Sequence, residues 1–282
     1  VGRELGAYVK PEHTAKEEML RVENLTQKGV FENVSFHANA GEIVAFSGLV
    51  GAGRTEVMEA IFGATKITSG KVFLYGEEVH IKNPADAIRR KVGLATEDRR
   101  RTGLLLKKSI EENVALPNLP FHAKNGFVNV PWEVSTSEEY MDKLKIKAPN
   151  INALCGNLSG GNQQKVVVAK MLSSDQKVLI MDEPTSSLDS TETDRLFNVI
   201  RDLKKKGVAI IYISHRMEEI FEICDSVSVF RNGTYVNTRS LDGVTRDELI
   251  SMMVGRDVKS VFPKVDCKIG DVVFKVENLC GK

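Results

Sequence analysis

Gly48-Leu49-Val50-Gly51-Ala52-Gly53-Arg54-Thr55 decides how this chain is read. The octapeptide follows the apolar run Ile43-Val44-Ala45-Phe46-Ser47 and opens a helical pattern that extends to Phe62. Its spacing is G-x-x-x-x-G-[K]-[ST], with Arg54 where lysine is expected. Glycines let successive backbone N–H groups turn around a phosphate, and a helix N-terminus adds partial positive charge. Thr55 offers a hydroxyl to Mg2+. Arginine is a planar, always charged fork rather than a point charge, so it reaches phosphate differently from lysine.

Further along, Val178-Leu179-Ile180-Met181 leads into Asp182-Glu183. A buried strand ending in aspartate sets that carboxylate on the C-terminal edge of a parallel sheet, beside the phosphate loop. Asp182 is the expected Mg2+ ligand. Glu183 is the expected base for an attacking water. Ser159-Gly160-Gly161 starts a helix and forms a second anion-binding terminus. Two phosphate-reading elements in one chain point to a dimer with shared sites. His215 follows the apolar strand Val208–Ile213 and Ser214, where it can point at a terminal phosphate.

Outward from these motifs, short apolar runs alternate with helical patterns, which argues an α/β fold around a mainly parallel sheet. Residues 19–25 alternate as a half-buried strand, and 71–78 read as a hairpin. The expected division is a linker over 1–18, a core over 19–106 that includes a small antiparallel β part, and an inserted helical subdomain over 107–170. The core resumes over 171–245, and 246–282 form a terminal helix and linker. Asn232-Gly233 marks a hairpin turn. Arg99-Arg100-Arg101 reads as a solvated charge run, and Phe31 as core rather than an adenine-stacking ring.

The composition narrows the function classes. The 282 residues carry a net charge of +1, with 42% hydrophobic and 27% charged residues. That balance gives no reason to expect a nucleic-acid partner. The N-terminal residues lack an apolar secretory core, and no run approaches the ~18 apolar residues of a membrane span. Four scattered cysteines without C-x-x-C spacing oppose a disulfide framework or zinc site and fit a reducing compartment. Val1-Gly2-Arg3 recurs as Val254-Gly255-Arg256, and Val22-Glu23-Asn24-Leu25 as Val276-Glu277-Asn278-Leu279. The offsets of 253 and 254 residues suggest one repeat of a tandem protein, cut from linker to linker.

Together these motifs resemble the ATP-binding cassette (ABC) ATPases over residues 19–245, within the P-loop NTPase class. GLVGAGRTE and LSGGNQQK are most similar to the tandem-cassette ATPase subunit of bacterial ribose- and galactose-type sugar importers. By this resemblance, Gly48, Gly51, Ala52, Gly53, Arg54, Thr55 and Glu56 bind ATP. Ser159, Gly160, Gly161, Gln163 and Asp189 face the ATP of a second cassette. Thr55, Asp182 and Glu97 hold Mg2+, with Glu97 standing where glutamine is usual, and Glu183 and His215 are catalytic. The resemblance also implies sugar-permease transmembrane subunits as partners and a cytoplasmic location on the inner face of the cell membrane.

Residues 1 to about 170 resemble the second cassette of such a subunit, and 175–282 the first, as in a hybrid. Two functions follow: an ATPase that powers sugar import, or a degenerate cassette that binds nucleotide and turns it over poorly. A soluble cassette acting on translation or DNA is a third class, opposed by the sugar-importer likeness.

Overall fold

The computed structural model describes residues 17–49, 51–123, 126–231, 233–255 and 273–277. Ten strands form one sheet, in the order β5-β4-β1-β2-β10-β9-β3-β8-β7-β6. They are β1 (Glu18–Gln27), β2 (Phe31–Asn39), β3 (Ile43–Gly48), β4 (Ser69–Leu74) and β5 (Glu77–Val79), then β6 (Val92–Ala95), β7 (Val178–Asp182), β8 (Ala209–Ile213), β9 (Ser226–Arg231) and β10 (Thr234–Ser240). The strands β9, β3, β8, β7 and β6 pair in parallel. The strands β1, β2, β4 and β5 pair antiparallel at one end. β10 joins the two parts, antiparallel to β9 and parallel to β2.

The parallel strands are buried along almost their whole length and mostly apolar, because both faces are covered. Successive side chains point to opposite faces, so β3 splits cleanly. Val44 and Phe46 pack with Val57, Met58 and Ile61 of helix α1 (Arg54–Ile61), while Ile43 and Ala45 pack in the opposite core. Alternation in β1 breaks at Asn24. Asn24 takes a left-handed φ of 50°, and the register with β2 shifts between Val22 and Leu25. The bulge lets both Val22 and Leu25 point inward, three residues apart, which strict alternation forbids.

After β5 come α2 (Pro84–Arg89) and, beyond β6, four helices: α3 (Ile110–Ala115), α4 (Leu119–His122), α5 (Val130–Lys143) and α6 (Gly160–Leu172). Their caps are legible in the sequence. Ser109 and Glu112 form a capping box on α3, Asn129 caps α5 and Ser159 caps α6. α7 (Ser190–Lys205) lies between β7 and β8, α8 (Met217–Ile223) between β8 and β9, and α9 (Arg246–Val254) follows β10. α6 lies against the sheet through Val166, Val167 and Val168, which share a core with Met181 and Tyr212. None of the described helices is long and apolar enough to cross a membrane. The 1–16 part of the expected linker, Asn232 of the hairpin turn, and the second copies of both repeats beyond Gly255, except Val276 and Glu277, lie outside the described residues.

Ile211 is fully buried at the centre of the parallel ladder. Ile211→Ala is expected to lower stability by about 2–5 kcal/mol, read as a reduced urea midpoint with an unchanged denaturant slope.

Candidate functional site

Parallel pairing sends β3, β7 and β8 out on the same edge of the sheet. The phosphate loop leaves β3 there. A Cβ on Gly48 would come within 2.5 Å of the Phe230 carbonyl oxygen, so the loop can leave the sheet only from a residue without a side chain. Gly53 sits at φ 88° as the N-cap of α1, and no side chain caps that helix. The first-turn N–H groups have no intrahelical acceptor and carry the positive end of the helix dipole. Gly51 is exposed at the loop's tip, with φ 78°. Ala52 is buried and its N–H donates to the Leu49 carbonyl at 3.0 Å, so its backbone amide serves the loop itself. Val50 lies outside the described residues.

At the start of α1, Thr55 Oγ1 donates to Asp182 Oδ2 at 2.8 Å. Asp182 is 2% exposed, and its Oδ1 has no hydrogen-bond partner among the described residues. Its pKa is pushed up to about 7, first by burial, then by the carboxylates of Glu97 and Glu183, against the Thr55 bond and the Arg54 charge. Thr55, Asp182 and Glu97 line one cavity of about 570 Å³, with Glu59 and Asp98 adding carboxylates and Arg101 a guanidinium. The Glu59 carboxyl is also raised, by burial and then by Glu56 in the same helix.

An orphaned buried carboxylate oxygen, a hydroxyl and a second carboxylate are hard oxygen donors that suit Mg2+. No group of three or more His, Cys, Asp or Glu side chains among the described residues forms a metal cage by itself.

Glu183, the next residue, adopts a left-handed φ of 44°. A non-glycine residue there costs on the order of 1–3 kcal/mol. Its N–H donates to the Ile213 carbonyl at 3.0 Å, which ties the strained turn to the end of β8. The carboxylate is 5% exposed. Oε1 lies 2.9 Å from His215 Nδ1 and 3.8 Å from Arg54 Nη2, whereas Oε2 has no partner among the described residues. Arg54 is 8% exposed, and its Nη1 donates to the Ser214 carbonyl at 3.4 Å. The guanidinium therefore bridges the phosphate loop to Glu183 and to the backbone of Ser214, the residue before His215. His215 itself is exposed, so its ring has one side on Glu183 and the other toward solvent.

The second anion terminus lies at the start of α6. Ser159 is exposed and caps the helix, accepting from the Asn162 N–H. Gly161 lies close to the Ser187 carbonyl, 2.9 Å from where a Cβ would be. Asp189 is exposed and caps α7 in a box with Glu192. Gln163 is not brought to this open end. It is 2% exposed, and its Nε2 donates to the Cys155 carbonyl at 3.0 Å, holding the loop before the helix.

The arginine run corrects the sequence reading in part. Arg100 and Arg101 are exposed, but Arg99 is inserted. Its Nη1 donates to Ser187 Oγ at 2.9 Å, and its Nη2 lies 2.9 Å from the position of a Cβ on Gly160. The reason is a π-type turn in which the Gly103 and Leu104 N–H groups bond the carbonyls of Asp98 and Arg99, five residues back. It turns Arg99 away from its neighbours. Lys165 was also missed: at 4% exposed, it pairs with Glu192 at 2.6 Å and locks α6 to α7. No periodicity in the sequence marks either residue.

A family model described as ABC transporter matches residues 31–186. The chain belongs to the ABC transporter family. It is 43% identical over 257 residues to a ribose import ATP-binding protein, RbsA, of Caldanaerobacter subterraneus subsp. tengcongensis, a match covering 90% of this chain and 52% of that protein. A putative ribose/galactose/methyl galactoside import ATP-binding protein of Halalkalibacterium halodurans is 38% identical, with 91% and 49% covered. The chain thus spans about half the length of the curated relatives it matches. Its fold is that of the dimeric bacterial ABC transporter cassette MJ0796 (TM-score 0.69, 21% identity, 80% of this chain and all of that one). An ATP-binding subunit of an ABC transporter shares it too (TM-score 0.71, 24% identity, 84% and 99%).

The raised Asp182 pKa carries a sign. The folded state holds the proton more tightly than an unfolded chain with pKa 3.8, so stability falls as pH rises from about 4 to about 7. Without metal or nucleotide, the stability gained by Asp182→Asn over the parent is expected to grow by about 1–3 kcal/mol between pH 5 and pH 8, measured by urea denaturation.

Proposed function

We propose that this chain is an ATP-hydrolysing cassette that pairs with a second cassette and powers sugar import through a membrane permease. The observation that carries the hydrolytic part is the Glu183–His215 contact at 2.9 Å, with Glu183 Oε2 lacking a partner among the described residues, beside the Thr55–Asp182 pair. A buried carboxylate with one oxygen held and the other open can orient a water and take its proton. His215 holds that carboxylate from the solvent side. The amides of Gly51, Gly53, Arg54 and Thr55 receive the phosphates, with Ala52 shaping the loop and Glu56 completing the first turn of α1. Arg54 supplies charge to the terminal phosphate when it leaves Glu183. Mg2+, held by Thr55, Asp182 and Glu97, would neutralise phosphate charge.

Ser159, Gly160 and Gly161 then face the ATP of the partner cassette, with Asp189 at the seam between α6 and α7. Gln163 supports that terminus from within. The relatives' names favour ribose or a related sugar as cargo. They also favour a cytoplasmic position against the permease, with 107–170 as the helical subdomain nearest to it. Spanning half of those relatives fits one cassette of a tandem subunit, with 1–18 as a linker and 246–282 as a terminal helix and linker.

Glu183→Gln is expected to lower steady-state ATP hydrolysis by ~10²–10⁴-fold while ATP binding persists and the ATP-bound dimer accumulates in size-exclusion chromatography. An unchanged rate would remove Glu183 as the base. Arg54→Lys is expected to retain turnover. If turnover appears only in that variant, the parent is a nucleotide-binding module rather than an ATPase.

A further inference from the structure

Directly behind Glu183 and His215 lies a carboxylate that neither touches the cavity nor faces solvent. Glu219, in the first turn of α8, is 6% exposed. Its Oε1 accepts from Thr185 Oγ1 at 2.8 Å and from Arg216 Nη1 at 3.2 Å. Its Oε2 accepts from Tyr212 OH at 2.8 Å and Ser214 Oγ at 3.0 Å. These four donors come from both segments that carry the reacting side chains. Tyr212, Ser214 and Arg216 bracket His215, and Thr185 lies two residues beyond Glu183.

We propose that Glu219 is the positioning residue of this site, fixing the Glu183 turn and the His215 loop against each other from beneath. The proposal rests on the hydrolytic reading above, in which Glu183 and His215 act together. The physical case is one of competing demands. Glu183 is held at a left-handed φ, which the chain leaves unless its surroundings over-determine it. His215 is exposed and lies two residues beyond the end of its strand, so its own packing does not place it.

A single ionised acceptor solves both problems. Bonds to a charged acceptor are the stronger ones, and here they converge from two loops. Tyr212 is kept as a neutral donor, because burial and the Glu219 charge both raise its pKa. Ser214 extends the link. Its hydroxyl also accepts the Arg216 N–H at 3.1 Å, and its carbonyl accepts from Arg54. The phosphate-loop cation, the histidine and the base are thus held by one buried group that none of the substrate's atoms would touch.

Glu219→Gln keeps the volume but replaces one acceptor corner with a donor, so the four bonds cannot all form. Two measurements test the role. The first is amide hydrogen exchange of the purified chain without nucleotide. Exchange should rise by about tenfold or more across 183–188 and 213–217 and stay unchanged in α7. The second is steady-state MgATP hydrolysis. kcat should fall by about tenfold or more with KM within about twofold, because the substrate contacts remain while the reacting groups are misplaced. Tyr212→Phe and Thr185→Val each remove one donor and should give smaller losses of the same kind.

Unchanged exchange in the two loops overturns the proposal. So does faster exchange with an unaltered kcat, or a parallel loss of kcat, KM and unfolding midpoint that marks general destabilisation. If the parent chain does not hydrolyse ATP, the hydrolytic reading fails first, and the exchange comparison still shows whether Glu219 couples the two loops.

Discussion

The hydrogen bond from Thr55 Oγ1 to Asp182 Oδ2 joins residues 127 positions apart, and the site is organised around it. It can form because the parallel ladder fixes the register: Phe46 and Asp182 both pair with Ile213, so β8 and β7 end level and β3 runs two residues further on the same edge. A phosphate loop following β3, an acidic pair closing β7 and a histidine beyond β8 are thereby delivered to one edge. A shift of the register by one residue would turn every side chain of the shifted strand to the wrong face. The apolar residues on both faces of these strands make such a shift costly, so the large core protects the small site.

The edge is electrostatically unfinished in the chain alone. Among the described residues, buried Asp182 has an unpaired oxygen and a raised pKa, Glu183 has a second unpaired oxygen, and Glu59 is raised as well. Arg54 offsets part of this charge but lies 3.8 Å from Glu183, too long for a hydrogen bond. Such an arrangement is poor for stability and useful for binding, because a divalent cation with phosphates would satisfy the acidic wall and the amide-rich loop together. The strained turn at Glu183 belongs to the same pattern. Its stability is drawn from Ile213 and from the bonds converging on Glu219, outside the site itself.

Much of this was open to reading from residue order. The run 43–47, the glycines that follow, the apolar segment ending in Asp182 and the strand before His215 all appear where their periodicity and spacing put them. Caps at Ser109, Ser159, Asp189 and Thr245 set helix starts closely because each is a local interaction of a side chain with amides two or three residues on. Other features escaped for equally physical reasons. The bulge at Asn24 depends on what β2 offers opposite. Arg99 looks like its two solvated neighbours until a π-type turn rotates it inward. Gln163 occupies a motif position yet spends its amide on the Cys155 carbonyl.

Residue order by itself determined the α/β class, the phosphate loop, the acidic pair and the family resemblance, since each is written in contiguous residues whose local physics is self-contained. Tertiary structure decided which of those residues meet. It set Arg54 on Glu183 rather than leaving it free, lodged Arg99 between Ser187 and Gly160, paired Lys165 with Glu192, and gathered four donors on Glu219. Apart from the bonds of Glu219 to Tyr212, Ser214 and Arg216 in its own segment, each of these joins charged or polar groups that lie far apart in the chain. Its role comes from burial, which strips water from both partners and leaves each with the other as its remaining source of compensation.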